Sequence, residues 1–167
     1  MDKVVIDTNV PVVANGKSSQ ATPECVINCI RRLYEVKQSE KLVLDDKWLI
    51  LQEYKRNLRS TGQPGVGDAF LKWVLTNYTN PQRCVMVKIT PINSDQTNFV
   101  EFPSDPSLAG FDKDDRKFIA VALAHPDRPP ILQAVDVQWW QMRGALYQAN
   151  VRVEFLCQAD IRRILGQ

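Results

Sequence analysis

Asp7, Glu53, Asp115 and Asp136 are the residues of this chain whose types and spacing could do acid chemistry. Asp7 ends Val4-Val5-Ile6, an apolar run that predicts a short, fully buried strand in the middle of a parallel sheet. Open α/β sheets bind ligands beyond the carboxyl ends of their strands, which is where Asp7 would emerge. Asp136 follows residues 131–135 (ILQAV) in the same way and is expected at the same edge. Glu53 falls within a helical pattern. At about 100° per residue Leu49 and Ile50 bracket it, while Gln52, Lys55, Arg56 and Arg59 take the other side. Asp115 lies in line with Phe118, Ile119 and Ala122, the spacing of an apolar helix face, and Arg116 and Lys117 are expected to point elsewhere.

Each acid alone also has a plainer reading. Asp7-Thr8-Asn9 suits a strand-ending turn, because Asp and Asn bond their own backbone there. Glu53 at the border of an apolar stripe could pair with a Lys or Arg. Asp112 with Asp115 three residues on resembles a capping box, and acids suit a helix N-terminus in any case. Asp136 suits a turn or N-cap before a helix at Gln138. A shared location is what would set these acids apart. Two like charges about 4 Å apart repel by roughly 4 kcal/mol at an effective dielectric near 20, so a converged cluster must bind a cation or hold protons. All-oxygen ligands favour hard ions such as Mg²⁺ or Mn²⁺, which bridge phosphates and polarise water.

Alternating strands and helices are needed to carry these positions. Residues 11–21 gather Pro, Gly and Ser and predict a loop. Thr22-Pro23-Glu24 opens a helix, with Thr as N-cap and Pro in the first turn. Residues 42–44 predict a buried strand, and Asp45 or Asp46 caps a helix over about 46–60. A helix over about 67–78, a strand at 84–89 and an irregular, proline-rich connection at 91–111 follow. A helix over about 113–125, a strand at 131–135, a helix over about 138–148, a strand at 151–156 and a terminal helix complete the alternation. The fold class expected is α/β, a three-layer α/β/α sandwich around a mainly parallel sheet of about five strands.

The 167 residues suit one domain, 1–167, with ordinary soluble composition at 44% hydrophobic and 24% charged. No apolar run approaches a membrane span of about 20 residues, and a strand at residue 3 or 4 leaves no room for a signal peptide, so a cytoplasmic location without membrane contact is expected. A net charge of +2 favours a polyanion only weakly, so any basic surface must be local. Cys25, Cys29, Cys84 and Cys157 form no Cys-x-x-Cys pair and His125 is the only histidine, which argues against a zinc site. The thiols are expected to be free, with Cys25 and Cys29 as small buried hydrophobes one helical turn apart.

VVIDTNV at the start, Gln52-Glu53-Tyr54 at a helix centre, the run Asp112-Lys113-Asp114-Asp115 leading into RKFIAVALA, and a strand ending in Asp136 together resemble the PIN domain. That family comprises metal-dependent ribonucleases, many of them bacterial toxin components, and the resemblance covers nearly the whole chain. It implies a Mg²⁺- or Mn²⁺-dependent endoribonuclease of single-stranded RNA, with Asp7, Glu53, Asp115 and Asp136 as metal ligands and catalytic acids. Asn9 and Asp112 would support them. Lys17, Lys55, Arg56, Lys113 and Arg116 are candidates for phosphate contacts. A protein antitoxin as partner and a homodimer are within the family's range. Ala134 stands where many members carry Thr. Trp139 or Trp140 could stack on a base, although an aromatic at the start of a packed helix belongs more often to the core. Two other classes fit less of the pattern: a non-catalytic PIN-like module binding RNA or protein, and a haloacid-dehalogenase-like phosphohydrolase. The latter begins with a strand and Asp but wants a second Asp where this chain has Asn9.

Overall fold

The alternation of apolar runs and helical faces resolves into one sheet with every strand parallel. The computed structural model describes residues 1–167. Its strands are β1 (Lys3–Ile6), β2 (Lys41–Asp45), β3 (Cys84–Val87), β4 (Ile131–Gln133) and β5 (Val153–Phe155). They lie in the order β3-β2-β1-β4-β5. β1 is central, with Val4 opposite Leu42 on one side and Ile6 opposite Leu132 on the other. Its Val4, Val5 and Ile6 are buried, as the apolar run requires. The chain moves outward from β1 to β3 and then crosses back to β4. The strand order therefore reverses between β1 and β4, the place where open α/β sheets form their ligand crevice.

The helices are α1 (Asn9–Ala14), α2 (Pro23–Ser39), α3 (Leu49–Asn57), α4 (Val66–Asn77), α5 (Arg116–Ala124), α6 (Val137–Gln141), α7 (Arg143–Gln148) and α8 (Gln158–Ile164). They flank the sheet in the expected three-layer α/β/α arrangement. α1, α2 and α4 pack on one another, while α5 lies against β1, β2, β4 and α3. α1 and α4 cross so closely that a Cβ on Gly67 would stand 1.8 Å from the Pro11 carbonyl oxygen, which only glycine permits. No helix is long and apolar enough to cross a membrane.

Several local expectations are corrected. The loop expected from residue 11 begins only after Ala14, because Pro11 falls in the first helical turn, where its missing N–H costs nothing. The helix expected over 138–148 is broken at Met142 into α6 and α7. The helix expected from 113 opens with a 3₁₀ turn, Lys113–Asp115, before α5. The irregular 91–111 connection packs against the core. Phe99, Phe102, Leu108 and Phe111 are buried, Pro91 bridges Phe99 in antiparallel fashion, and Pro106–Leu108 forms a 3₁₀ turn.

The expectation of free thiols fails for one pair. Cys25 and Cys157, 132 residues apart, form a disulfide joining the first turn of α2 to the residue before α8. Cys29 and Cys84 remain free and buried, with the Cys29 sulfur 4.0 Å from that of Cys157. Cysteine spacing does not reveal connectivity, so the sequence held no signal for this bridge.

Candidate metal centre

Each acid of the predicted cluster is positioned by a different element, and Asp115, Glu53 and Asp136 all act on the Asp7 carboxylate at the end of the sheet where β1 leaves it. Asp7 is the first residue after β1 and is only 5% exposed. One carboxylate oxygen, Oδ1, accepts the Asn9 backbone N–H at 2.9 Å. The other, Oδ2, is buried without any hydrogen-bond partner. Burial pushes the Asp7 pKa well above the ordinary carboxylate value. The charges of Asp115, Glu53 and Asp136 push it the same way, against the single Asn9 bond. Asp115, Glu53 and Asp136 thus lie within electrostatic range of Asp7, although no three of these carboxylates have their oxygens within 4.8 Å of one another.

Asp115 occupies the N-cap position of α5, yet its side chain caps nothing. Asp112 is the residue that caps, its Oδ1 accepting the Asp114 N–H at 3.0 Å. The Asp115 carboxylate instead accepts the indole N–H of Trp139 at 3.2 Å. Its pKa rises to about 7, first through burial and then through the charges of Asp136, Asp112 and Glu53, with the Trp139 bond opposing. Asp136 does cap α6, accepting the Gln138 N–H at 2.9 Å. Burial raises it too, partly offset by the Gln138 and Trp139 N–H groups.

Glu53 projects from α3 with its side chain mostly buried and both oxygens engaged. The Thr8 hydroxyl donates to Oε2, and the Lys117 ammonium donates to Oε1 at 2.7 Å. Lys117 also reaches the Asp114 carbonyl. The expectation that Lys117 points away is thus corrected: its stem runs along the protein and its charge enters the cluster. Thr8 and Lys117 are the two site residues that sequence reasoning missed. An apolar-face count treats every Lys as outward, so only the place of Lys117 two residues after Asp115 offered a clue.

The supporting residues sort by where the chain leads them. The Asn9 side chain spends its Oδ1 on the Ala134 N–H at 3.1 Å, tying the turn after β1 to the exit of β4. Trp139 is fully buried and edge-on to Phe111, so it is core and carboxylate donor, not a stacking platform. Arg116 is corrected from a phosphate contact to a structural residue. It is buried, its guanidinium donating to the carbonyls of Phe111 and Ala109 and to Asn98 while lying over Phe102. Lys17 is exposed within range of Asp68, where its charge helps to hold that acid down. Lys55 is exposed on α3, whereas Arg56 and Lys113 line a common pocket beside the acids.

No family model, curated protein or solved structure matches this chain. The chemistry of the donor set is then what speaks for a ligand. Asp115, Glu53 and Asp136 act on Asp7, the one ammonium among them, Lys117, is paired to Glu53, and one buried oxygen of Asp7 has no partner at all. Isolated buried charge is expensive, so this arrangement calls for protons or for a cation. Oxygen donors without sulfur or imidazole suit a hard divalent ion, and Mg²⁺ or Mn²⁺ fits the residues present.

Proposed function

We propose that this protein is a divalent-metal-dependent endoribonuclease of single-stranded RNA, a reading in keeping with the PIN-domain resemblance of its sequence. One observation carries it. Asp7, Asp115 and Asp136 lie within electrostatic range of one another beside the strand-order reversal, their pKa values are raised, and the inner oxygen of Asp7 lacks a partner. A structural acid would be satisfied by its own surroundings.

Asp7, Asp115 and Asp136 would hold the ion. Such an ion supplies charge stabilisation at a phosphoryl oxygen and a more acidic water. The chain's own residues do the rest. The Asn9 N–H, the Trp139 indole and the Gln138 N–H each bond one ligand acid and so fix its orientation, as groups behind metal ligands do. Thr8 and Lys117 pin Glu53 at the margin, where it can orient water or accept its proton.

The test pairs an RNA cleavage assay with Mn²⁺ titration of the wild type and of Asp115→Asn. Cleavage that requires Mn²⁺ and disappears in the variant supports the reading. Absence of Mn²⁺ binding by the wild type would sink it. The Lys117–Glu53 pair favours one alternative, a non-catalytic binding module in which the ammonium permanently serves as the cation. RNA binding without metal-dependent turnover would decide for that module. The phosphohydrolase reading gains no support, since Asn9 occupies the position of its second acid and is bonded to β4.

A further inference from the structure

Beside the acid cluster lies a second concavity of about 180 Å³, bounded by α3, the 91–111 connection and the 3₁₀ turn before α5. It is smaller than the roughly 300 Å³ at which pockets for drug-sized ligands begin. Three cations line it: Arg56, Lys113 and Lys117. Arg56 and Lys113 are exposed and make no ion pair or hydrogen bond, so their charge is uncommitted. Lys117 belongs to both places, lining this pocket while it donates to Glu53. Two acids, Asp95 and Asp114, also line it, and Asp95 is occupied by the Thr97 hydroxyl at 2.8 Å. With Lys117 paired to Glu53, Arg56 and Lys113 are matched in number by Asp95 and Asp114, but these two cations have no partner of their own.

The wall facing α3 is built, not incidental. Asn93 Oδ1 accepts the N–H groups of Thr97 and Asn98 at 3.2 and 3.0 Å, closing the segment into a tight turn. Asn98 is held in turn by the buried Arg116 guanidinium at 3.2 Å. Gln96, which lines the pocket, takes a left-handed backbone conformation with φ 57°, sparsely populated for residues other than glycine. A polar side chain is therefore kept at a position where a plain turn would use glycine.

We propose that this pocket seats a backbone phosphate of single-stranded RNA, held by Arg56 and Lys113 with Lys117 between it and the acids. Resting on the nuclease reading, that phosphate is the neighbour of the one cleaved. A guanidinium and an ammonium are the usual phosphate donors, and their role is to set the strand's register rather than to read its sequence. Lys117 would then orient the strand by touching both the seated phosphate and Glu53.

The experiment measures binding of a short fluorescent single-stranded RNA in EDTA, over a range of salt, so that no cleavage is needed. It compares wild type, the Arg56→Ala/Lys113→Ala double variant and Arg31→Ala/Lys72→Ala, which removes the same charge from exposed positions elsewhere. Melting midpoints check that both variants fold. The pocket variant should bind about tenfold more weakly, and its log–log salt slope should fall by about 0.7, the value for one lost phosphate contact on a single strand. The control should stay within about twofold of wild type. Equal weakening in both variants, or no RNA binding by the wild type, overturns the proposal. If the pocket variant alone is weakened but the wild type cleaves nothing with Mn²⁺, the pocket stands and the nuclease reading falls. The converse, Mn²⁺-dependent cleavage with unchanged binding by the pocket variant, removes the pocket and leaves the nuclease.

Discussion

Asp45 and Asp7 stand at the carboxyl ends of neighbouring parallel strands, both enclosed, and they have opposite fates. Asp45 is fully buried and accepts three backbone N–H groups, from Lys47 at 3.1 Å, Leu49 at 2.9 Å and Ile50 at 3.0 Å. It converts the start of α3 into a closed structure, and no oxygen is left over. Asp7 receives one N–H and faces three other acids. Asp68 belongs with Asp45. Burial raises its pKa, but bonds from the Arg59 N–H, the Asn15 amide and the Gly65 N–H outweigh that and hold it below the ordinary value. A buried carboxylate satisfied by backbone is architecture; one left in want of a positive charge is a candidate binding site.

The largest way to break that contrast is Asp115→Asn. It should reduce RNA cleavage by roughly 10²-fold or more, the scale of losing a catalytic acid–base group. The metal-free variant should melt no lower than wild type, since the change relieves repulsion. Retained cleavage, or a substantial drop in the midpoint, would put Asp115 on the same footing as Asp45.

Asp45→Ala supplies the opposite case. Its three donors would be left buried and unpaired, so we expect a loss of about 3 kcal/mol or more. For a chain of this size that lowers the melting midpoint by about 10 °C. Asp7→Asn should stay within about 1 kcal/mol of wild type, because its Oδ1 contact can survive and the amide, like the protonated acid it replaces, carries no charge. Differential scanning calorimetry of the two variants without metal distinguishes them; similar losses would erase the comparison.

The pH dependence of stability sharpens it further. Asp115, at about 7 in the folded protein, keeps a proton that the unfolded chain releases near the ordinary carboxylate value. Its contribution is fully present below that value and is lost as pH rises toward 7, and Asp7 and Asp136 act in the same direction. Asp68, held low, contributes above the ordinary value and fails in acid. Stability without metal should thus fall by about 2 kcal/mol between pH 4.5 and 7.5, after allowance for solvent screening. Added Mn²⁺ should flatten the slope, because its ligands must be deprotonated to bind. A metal-free profile rising across that interval would contradict the raised acids.

The comparison also explains what the sequence could reveal. The strands and their ends were readable because β1 and β4 are continuous apolar runs, and a single acid after each one points to the same sheet edge. Glu53 and Asp115 were readable because helical period placed them on apolar faces. What separates Asp45 from Asp7 was not readable, since both are strand-ending acids and the difference lies in the path of the next few residues. After Asp45 a left-handed Trp48, φ 62°, turns the backbone so that N–H groups wrap the carboxylate. After Asp7, α1 starts at once and leads away from it. Lys117 and Arg116 were misplaced for a related reason: long cationic stems bury their methylenes while the head finds a distant partner, which periodicity does not encode.

The smallest effect concerns the one carboxylate that lies between the two kinds. Glu53 is satisfied like Asp45, but one of its donors is a side-chain ammonium that another cation can replace. Lys117→Met preserves the length of the apolar stem and removes the charge, leaving the Thr8 hydroxyl as the remaining donor to Glu53. With the pair partly accessible, at 10% and 16% side-chain exposure, the metal-free loss should be about 1 kcal/mol rather than the larger cost of a fully enclosed pair. A divalent ion at 100 times its dissociation constant stabilises the native state by about 2.7 kcal/mol. Removing a competing ammonium should strengthen that binding, so saturating Mn²⁺ ought to close the gap between variant and wild type. Thermal melts at a series of Mn²⁺ concentrations read this directly. Were the gap to stay constant at every concentration, Glu53 and Lys117 would be a fixed structural pair, and Glu53 would belong with Asp45 and Asp68 outside the metal centre.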